Sequence, residues 1–300
     1  MLLYKIEIDY SPAYELITSL YTYLDSSNRQ ISELGTKWVK QVEKSINADF
    51  ANELKDQKLE VLHRLSLLVW QCPHKETITG FLYWLEQLPS EKVYELLVPW
   101  VQQISKDMIQ IQTYFVSLLR RWNEQYFCHL SEDILEMLQK DALKKTVLAS
   151  QIDPVDLVEQ CTNGMHIMAE NVDTLLLVPQ FHQSPFSVID YFDGLITCLY
   201  PVDQELKGEP PKKLERQMKS LADERRLKIL RYLQEKPRTF SEIQQFTGLA
   251  KGNVHYHIKL LRTAGFIRAH HNSKRVEKYS LRDESLVQLQ DVLFRYVKGD

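Results

Sequence analysis

The chain has 300 residues, 44% hydrophobic and 26% charged, with a formal net charge of −3, which is enough for two domains with cores of their own. It has no uncharged apolar run of about 18 residues and no basic-flanked apolar leader, so no membrane-spanning helix is expected. The four cysteines, Cys72, Cys128, Cys161 and Cys198, form no C-x-x-C pair and fit a reduced, cytoplasmic setting.

Elements follow in chain order. An alternating strand is expected over residues 3–10, then Ser11-Pro12 as cap and first residue of a helix. Helical patterns cover 31–46, 54–70, 77–88, 101–126 and 134–148, and strands are expected at 165–168, 174–178 and 195–200, the first two joined by 169–173. Residues 1–202 therefore read as a mostly helical N-terminal domain with a small β-sheet. Residues 203–211, polar with a glycine and paired prolines, read as a linker, and 212–300 as a second domain. The fold class is mostly α (α+β).

Charge changes at the same place. Residues 1–208 hold 17 Lys and Arg against 29 Asp and Glu, whereas 209–300 hold 20 against 11. The front disfavours a polyanionic partner and the tail favours one. The front also lacks a phosphate-binding glycine loop, G-x-S-x-G, H-E-x-x-H and D-x-D-x-D-G, so no enzyme and no cofactor is expected. Trp38, Trp70, Trp84, Trp100 and Trp122 read as core rather than as the walls of a ligand pocket. His129, His166 and His182 read as structural or surface residues.

The second domain is more explicit. Thr239-Phe240-Ser241-Glu242 is a capping box, Ile243 and Phe246 are expected on the buried side of the helix it starts, and Gly248 ends it in a left-handed turn. In the next helix Val254, Ile258 and Leu261 share a face. Opposite them stand Gly252, Tyr256 and Lys259, flanked by Asn253 and His255, while Lys251 sits at the positive helix end and His257 reads as structural. Residues 266–271 and 276–281 then form a hairpin with Lys274 and Arg275 at its tip. Two short helices and a hairpin make a winged helix-turn-helix, whose second helix enters the major groove of DNA. Lys251, Gly252, Asn253, His255, Tyr256, Lys259, Lys274 and Arg275 are the expected DNA-binding residues.

Residues 219–281 resemble the ArsR (ArsR/SmtB) family of bacterial transcriptional regulators. The run 221–230, Leu-Ala-Asp-Glu-Arg-Arg-Leu-Lys-Ile-Leu, is similar to the family's Leu-Ala-Asp-Pro-x-Arg-Leu-x-Ile-Leu, with Asp223 as helix cap. Gly248-Leu249 with Val254, His257, Ile258, Leu260 and Leu261 is similar to its recognition helix, and Ala264-Gly265-Phe266-Ile267 to the opening of its wing. Two departures stand out: Glu224 replaces a proline, and Ala250 stands where Ser or Thr usually caps the recognition helix. With Gly252 close behind, the helix start is expected to fray and to order on DNA. The family's metal sites are absent: residues 241–246 hold no cysteine and 283–298 no histidine. His255 and His257, two apart on a helix, and His270 and His271, adjacent on a strand, do not share a face, so no metal is expected.

The resemblance implies a homodimer on a double-stranded, inverted-repeat operator, repression as the default outcome, and dimer contacts through the helices at 212–221 and 285–296. The N-terminal domain would then sense a small-molecule or protein effector. Two alternatives stay open: an enzyme with a DNA-binding tail, and a protein-interaction adaptor that uses the winged helix for docking.

Overall fold

The computed structural model describes residues 4–27, 29, 31–55, 62–101, 108–168, 171–272 and 275–299. They fall into two compact units, neither continuous in sequence: one takes 4–147 with 171–202, the other 148–170 with 203–300. The fold is α+β, with helices outnumbering small sheets and a helix-turn-helix at the C-terminal end.

The first unit starts with β1 (Lys5–Ile8) and α1 (Pro12–Leu24). Ser11 caps α1 as the sequence predicts, its Oγ accepting from Ala13 N at 3.1 Å with Pro12 in the first turn. Helix α1 is buried almost all round and touches α4 (Leu62–Gln71), α5 (Ile78–Gln87) and α7 (Met108–Gln125), which makes it the axis of this unit. Helices α2 (Gly35–Ser45), α3 (Ala48–Lys55), α6 (Ser90–Leu97) and α8 (Glu132–Ala149) complete the helical layer. The predicted helix over 54–70 corresponds to the end of α3 and most of α4; residues 56–61 lie outside the described residues.

Its sheet is ordered β1-β3-β5-β4, with β3 (Val172–Gln180), β4 (Val188–Tyr191) and β5 (Gly194–Pro201). Strands β1, β3 and β5 are parallel and β4 is antiparallel to β5. Leu175-Leu176-Leu177-Val178 is buried throughout, as the interior strand of a parallel sheet covered on both faces requires. Of the tryptophans expected in the core, Trp122 is fully buried and donates to Ser19 Oγ at 2.9 Å, while Trp38, Trp70, Trp84 and Trp100 are partly buried against the core.

The second unit begins upstream of the expected domain boundary. Helix α9 (Pro154–Thr162) and β2 (Met165–Met168) cluster with residues 203–300 and not with the chain around them. Strand β2 pairs in parallel with β6 (Ile267–Asn272), which pairs antiparallel with β7 (Arg275–Leu281). The division at 202/203 coincides with the start of the expected linker, while 148–170, expected within the N-terminal domain, groups with 203–300; strands 165–168 and 172–180 belong to different sheets. Parallel neighbours need no local turn between them, so the sequence reveals the strand and conceals its partner, about a hundred residues away. The remainder is α10 (Lys212–Leu221), α11 (Glu224–Glu235), α12 (Phe240–Thr247), α13 (Lys251–Thr263) and α14 (Asp283–Lys298). Its core joins Ile229, Leu233, Ile243, Val254, Leu261, Phe266 and Ala269.

Candidate nucleic-acid interface

Helix α11 starts on Asp223, whose carboxylate accepts from Arg225 N at 2.9 Å and Arg226 N at 3.2 Å. Helix α12 starts on the reciprocal Thr239–Glu242 capping box and stops at Gly248, which adopts φ 65°. That left-handed residue turns the chain so that α13 begins three residues later, at Lys251.

On α13 the predicted division of faces is seen. Val254, His257, Ile258 and Leu261 are buried, whereas Lys251, Gly252, Asn253, His255 and Tyr256 are exposed. His257 is the buried histidine that its helical angle predicts, and burial holds its pKa below the usual value against the opposing charge of Asp223. Lys259 is half-buried rather than fully outward. Of the other expected contact residues, Arg275 opens β7 opposite Asn272 and is exposed, and Lys274 lies outside the described residues. Arg275 stands within the paired strand and not in the turn.

Two aromatic contacts escaped the sequence reading. The His255 ring stacks on Phe240 of α12, centroids 4.1 Å apart, so one candidate contact is held by the preceding helix. Phe246 is 48% exposed, which corrects its expected place in the core. It stacks flat on Tyr232 at 4.0 Å, while the Arg238 guanidinium lies 4.0 Å from the same ring. Arg238 also bridges to Tyr279 of β7 by backbone hydrogen bonds of 2.8 and 2.7 Å, adding a short third edge to the wing.

His255 and His257 do not converge, one exposed and the other buried, and His270 is half-buried beside a buried His271. Among the described residues no group of three or more His, Cys, Asp or Glu is placed to hold a metal ion, and no helix is long and apolar enough to cross a membrane.

Residues 221–270 match a helix-turn-helix domain. The matched span contains α11, α12, α13 and the start of β6. A crystal structure of a fragment (residues 1–100) of a possible transcriptional regulatory protein from Mycobacterium bovis is similar over 29% of this chain and 92% of that chain, with 24% identity and a TM-score of 0.24. No curated protein matches the chain. The matched domain supports a DNA-binding transcription regulator.

The start of α13 has no side-chain cap. Ala250 at the N-cap offers no side-chain acceptor, and a Cβ on Gly252 would meet nothing within 4 Å. Ala250→Ser is expected to stabilise the unit by about 0.5–1 kcal/mol and to slow amide exchange at residues 251–253; a thermal melt and hydrogen exchange of the free protein check this. Slow exchange there in the unmodified protein would show that the helix start is already ordered.

Proposed function

We propose that this protein is a sequence-specific transcription regulator of the ArsR-like kind, which binds an inverted-repeat operator as a homodimer and represses from it. The observation that carries this reading is the exposed row Gly252, Asn253, His255 and Tyr256 on the N-terminal half of α13, the part of a recognition helix that meets base edges. Lys251 at the positive end of that helix and Arg275 on the wing supply phosphate contacts. The dimer reading is supported by α14, which exposes Leu286, Val287, Phe294 and Val297 beside α10 with its exposed Met218. Apolar surface on helices that flank a DNA-binding core suits a second copy. The first unit serves as the effector-sensing part and catalyses nothing, and the protein works in the cytoplasm.

The test is titration against a duplex selected by the protein from a random-sequence pool, at two salt concentrations. Asn253→Ala with Tyr256→Ala is expected to weaken specific binding by at least about thirtyfold, since a good base contact contributes roughly 1–3 kcal/mol. Weakening with rising salt, by a slope near 0.9 per phosphate contact, separates DNA binding from docking of a protein on the same helices. Specific binding that survives the double substitution would remove α13 as the reading helix.

A further inference from the structure

Helices α11 to α13 with β6 and β7 already contain the parts of a winged helix. Strand β2 adds to them: it runs beside β6 from Met165, opposite Ala269, to Met168, opposite Asn272, the last described residue before the wing turn. Its approach is close. Gly164 adopts φ +112°, its carbonyl accepts from Ala269 N at 2.8 Å, and a Cβ there would lie 2.6 Å from Ile267 O, so only glycine fits.

One carboxylate holds this arrangement together. Glu159 of α9 is 5% exposed. Its oxygens accept from Arg268 Nε at 3.0 and 2.8 Å, His166 Nδ1 lies 2.7 Å away, and Arg282 Nε lies 3.9 Å away. Arg268 in turn reaches Glu284 at 2.6 Å and the carbonyl of Leu281 at 3.3 Å. A single buried group therefore ties α9 and β2 to β6, to the end of β7 and to the start of α14. Burial alone would raise its pKa; the bonds from His166 and Arg268, with the guanidinium charge, outweigh that and hold it below the usual carboxylate value. It is ionised at neutral pH and has charged partners to match.

We propose that Glu159 is a positioning residue for DNA binding: through Arg268 it fixes the angle of the β6–β7 wing. This rests on the DNA-binding reading above.

The test uses the full chain with Glu159→Gln, which keeps the shape and removes the charge, and Arg268→Lys, which keeps the charge and removes the fork. Two quantities are read: amide exchange without DNA, and salt-dependent affinity for a duplex that the wild-type protein selects from a random-sequence pool. The expected result for both variants is exchange at least about tenfold faster in 267–272 and 275–281 with 254–261 unchanged. Duplex affinity is expected to fall about tenfold, with a salt slope reduced by about one phosphate contact. Exchange that rises equally in α13 would mark plain destabilisation and overturn the proposal, as would an unchanged wing or an unchanged slope. If the wild-type protein itself shows no salt-dependent duplex binding, the DNA reading fails and takes the DNA part of the proposal with it, while the exchange comparison still decides whether Glu159 holds the wing.

Discussion

Between pH 7 and pH 5 the winged-helix unit is expected to lose about 2 kcal/mol of stability through His271 alone. His271 is 8% exposed; burial, then the positive charges of Arg262 and His270, push its pKa down from 6.5 to about 4. The unfolded chain takes up a proton near pH 6.5, and the folded one refuses it until about pH 4. Stability is therefore present above the unfolded value and falls as the pH drops from 6.5 toward 4, where the loss reaches roughly 3 kcal/mol at about 1.36 kcal/mol per unit. His257 and His270 are shifted in the same direction, burial being the first cause in each, and add to the loss. Glu159, held below its usual value, continues it as the pH falls through the carboxylate range. Domains have only about 5–15 kcal/mol in total, so acid should unfold this unit early. All five tryptophans lie in residues 38–122; an unfolding transition seen by circular dichroism and silent in tryptophan fluorescence therefore reports the winged-helix unit. Its midpoint should fall with pH, and His271→Gln should flatten the profile. A midpoint constant from pH 7 to 5 would show that His271 is not held neutral.

How much of this was legible in the sequence depends on how local each cause is. The Thr239–Glu242 box, the Gly248 turn, the Asp223 cap and the buried angle of His257 are set by residues within one or two helical turns, and each is seen where the pattern placed it. Phe246 was misplaced because helical angle gives a direction and not a partner: the direction leads to Tyr232, which offers a flat ring at the surface instead of a cavity in the core. The wing strands were visible as β-rich runs, yet the third strand beside them was not assignable. Glu159 bears no mark in sequence; it is one acid in a stretch, 151–202, that has no Lys or Arg at all, and its cationic partners lie more than a hundred residues on. Helix α6 begins behind Pro89 without a side-chain cap, its Ser90 lying inside the first turn and not at the cap.

Substituting His182 by Leu is expected to destabilise the first unit by about 3–5 kcal/mol, the range for removing one partner of a buried polar or ionic pair. His182 is fully buried and Glu15 is 1% exposed. Their side chains are joined through Nδ1 and Oε1, and Glu15 also accepts from the backbone N–H groups of Phe181 at 3.1 Å and His182 at 2.9 Å. On its other side His182 Nε2 lies 2.7 Å from Tyr126 Oη, which accepts from Trp38 Nε1 at 2.8 Å. The chain of bonds links α1, α2, the end of α7 and the loop after β3. Leucine fills much of the ring's volume, so the loss would come mainly from the Glu15 carboxylate and the Tyr126 hydroxyl left with fewer partners and no water to replace them. Phe181 and His182 donate to different Glu15 oxygens, so Glu15→Gln keeps an acceptor for only one of the two backbone donors and should also destabilise this unit. Urea unfolding followed by tryptophan fluorescence reads this unit; the midpoint and not the intensity is the quantity to compare, because the His182 ring lies 5.4 Å from that of Trp38. A midpoint shift equivalent to less than about 1 kcal/mol would mean that Glu15 and Tyr126 find other partners when the imidazole is gone. If the fluorescence-silent transition stays in place while this one moves, the two units unfold separately.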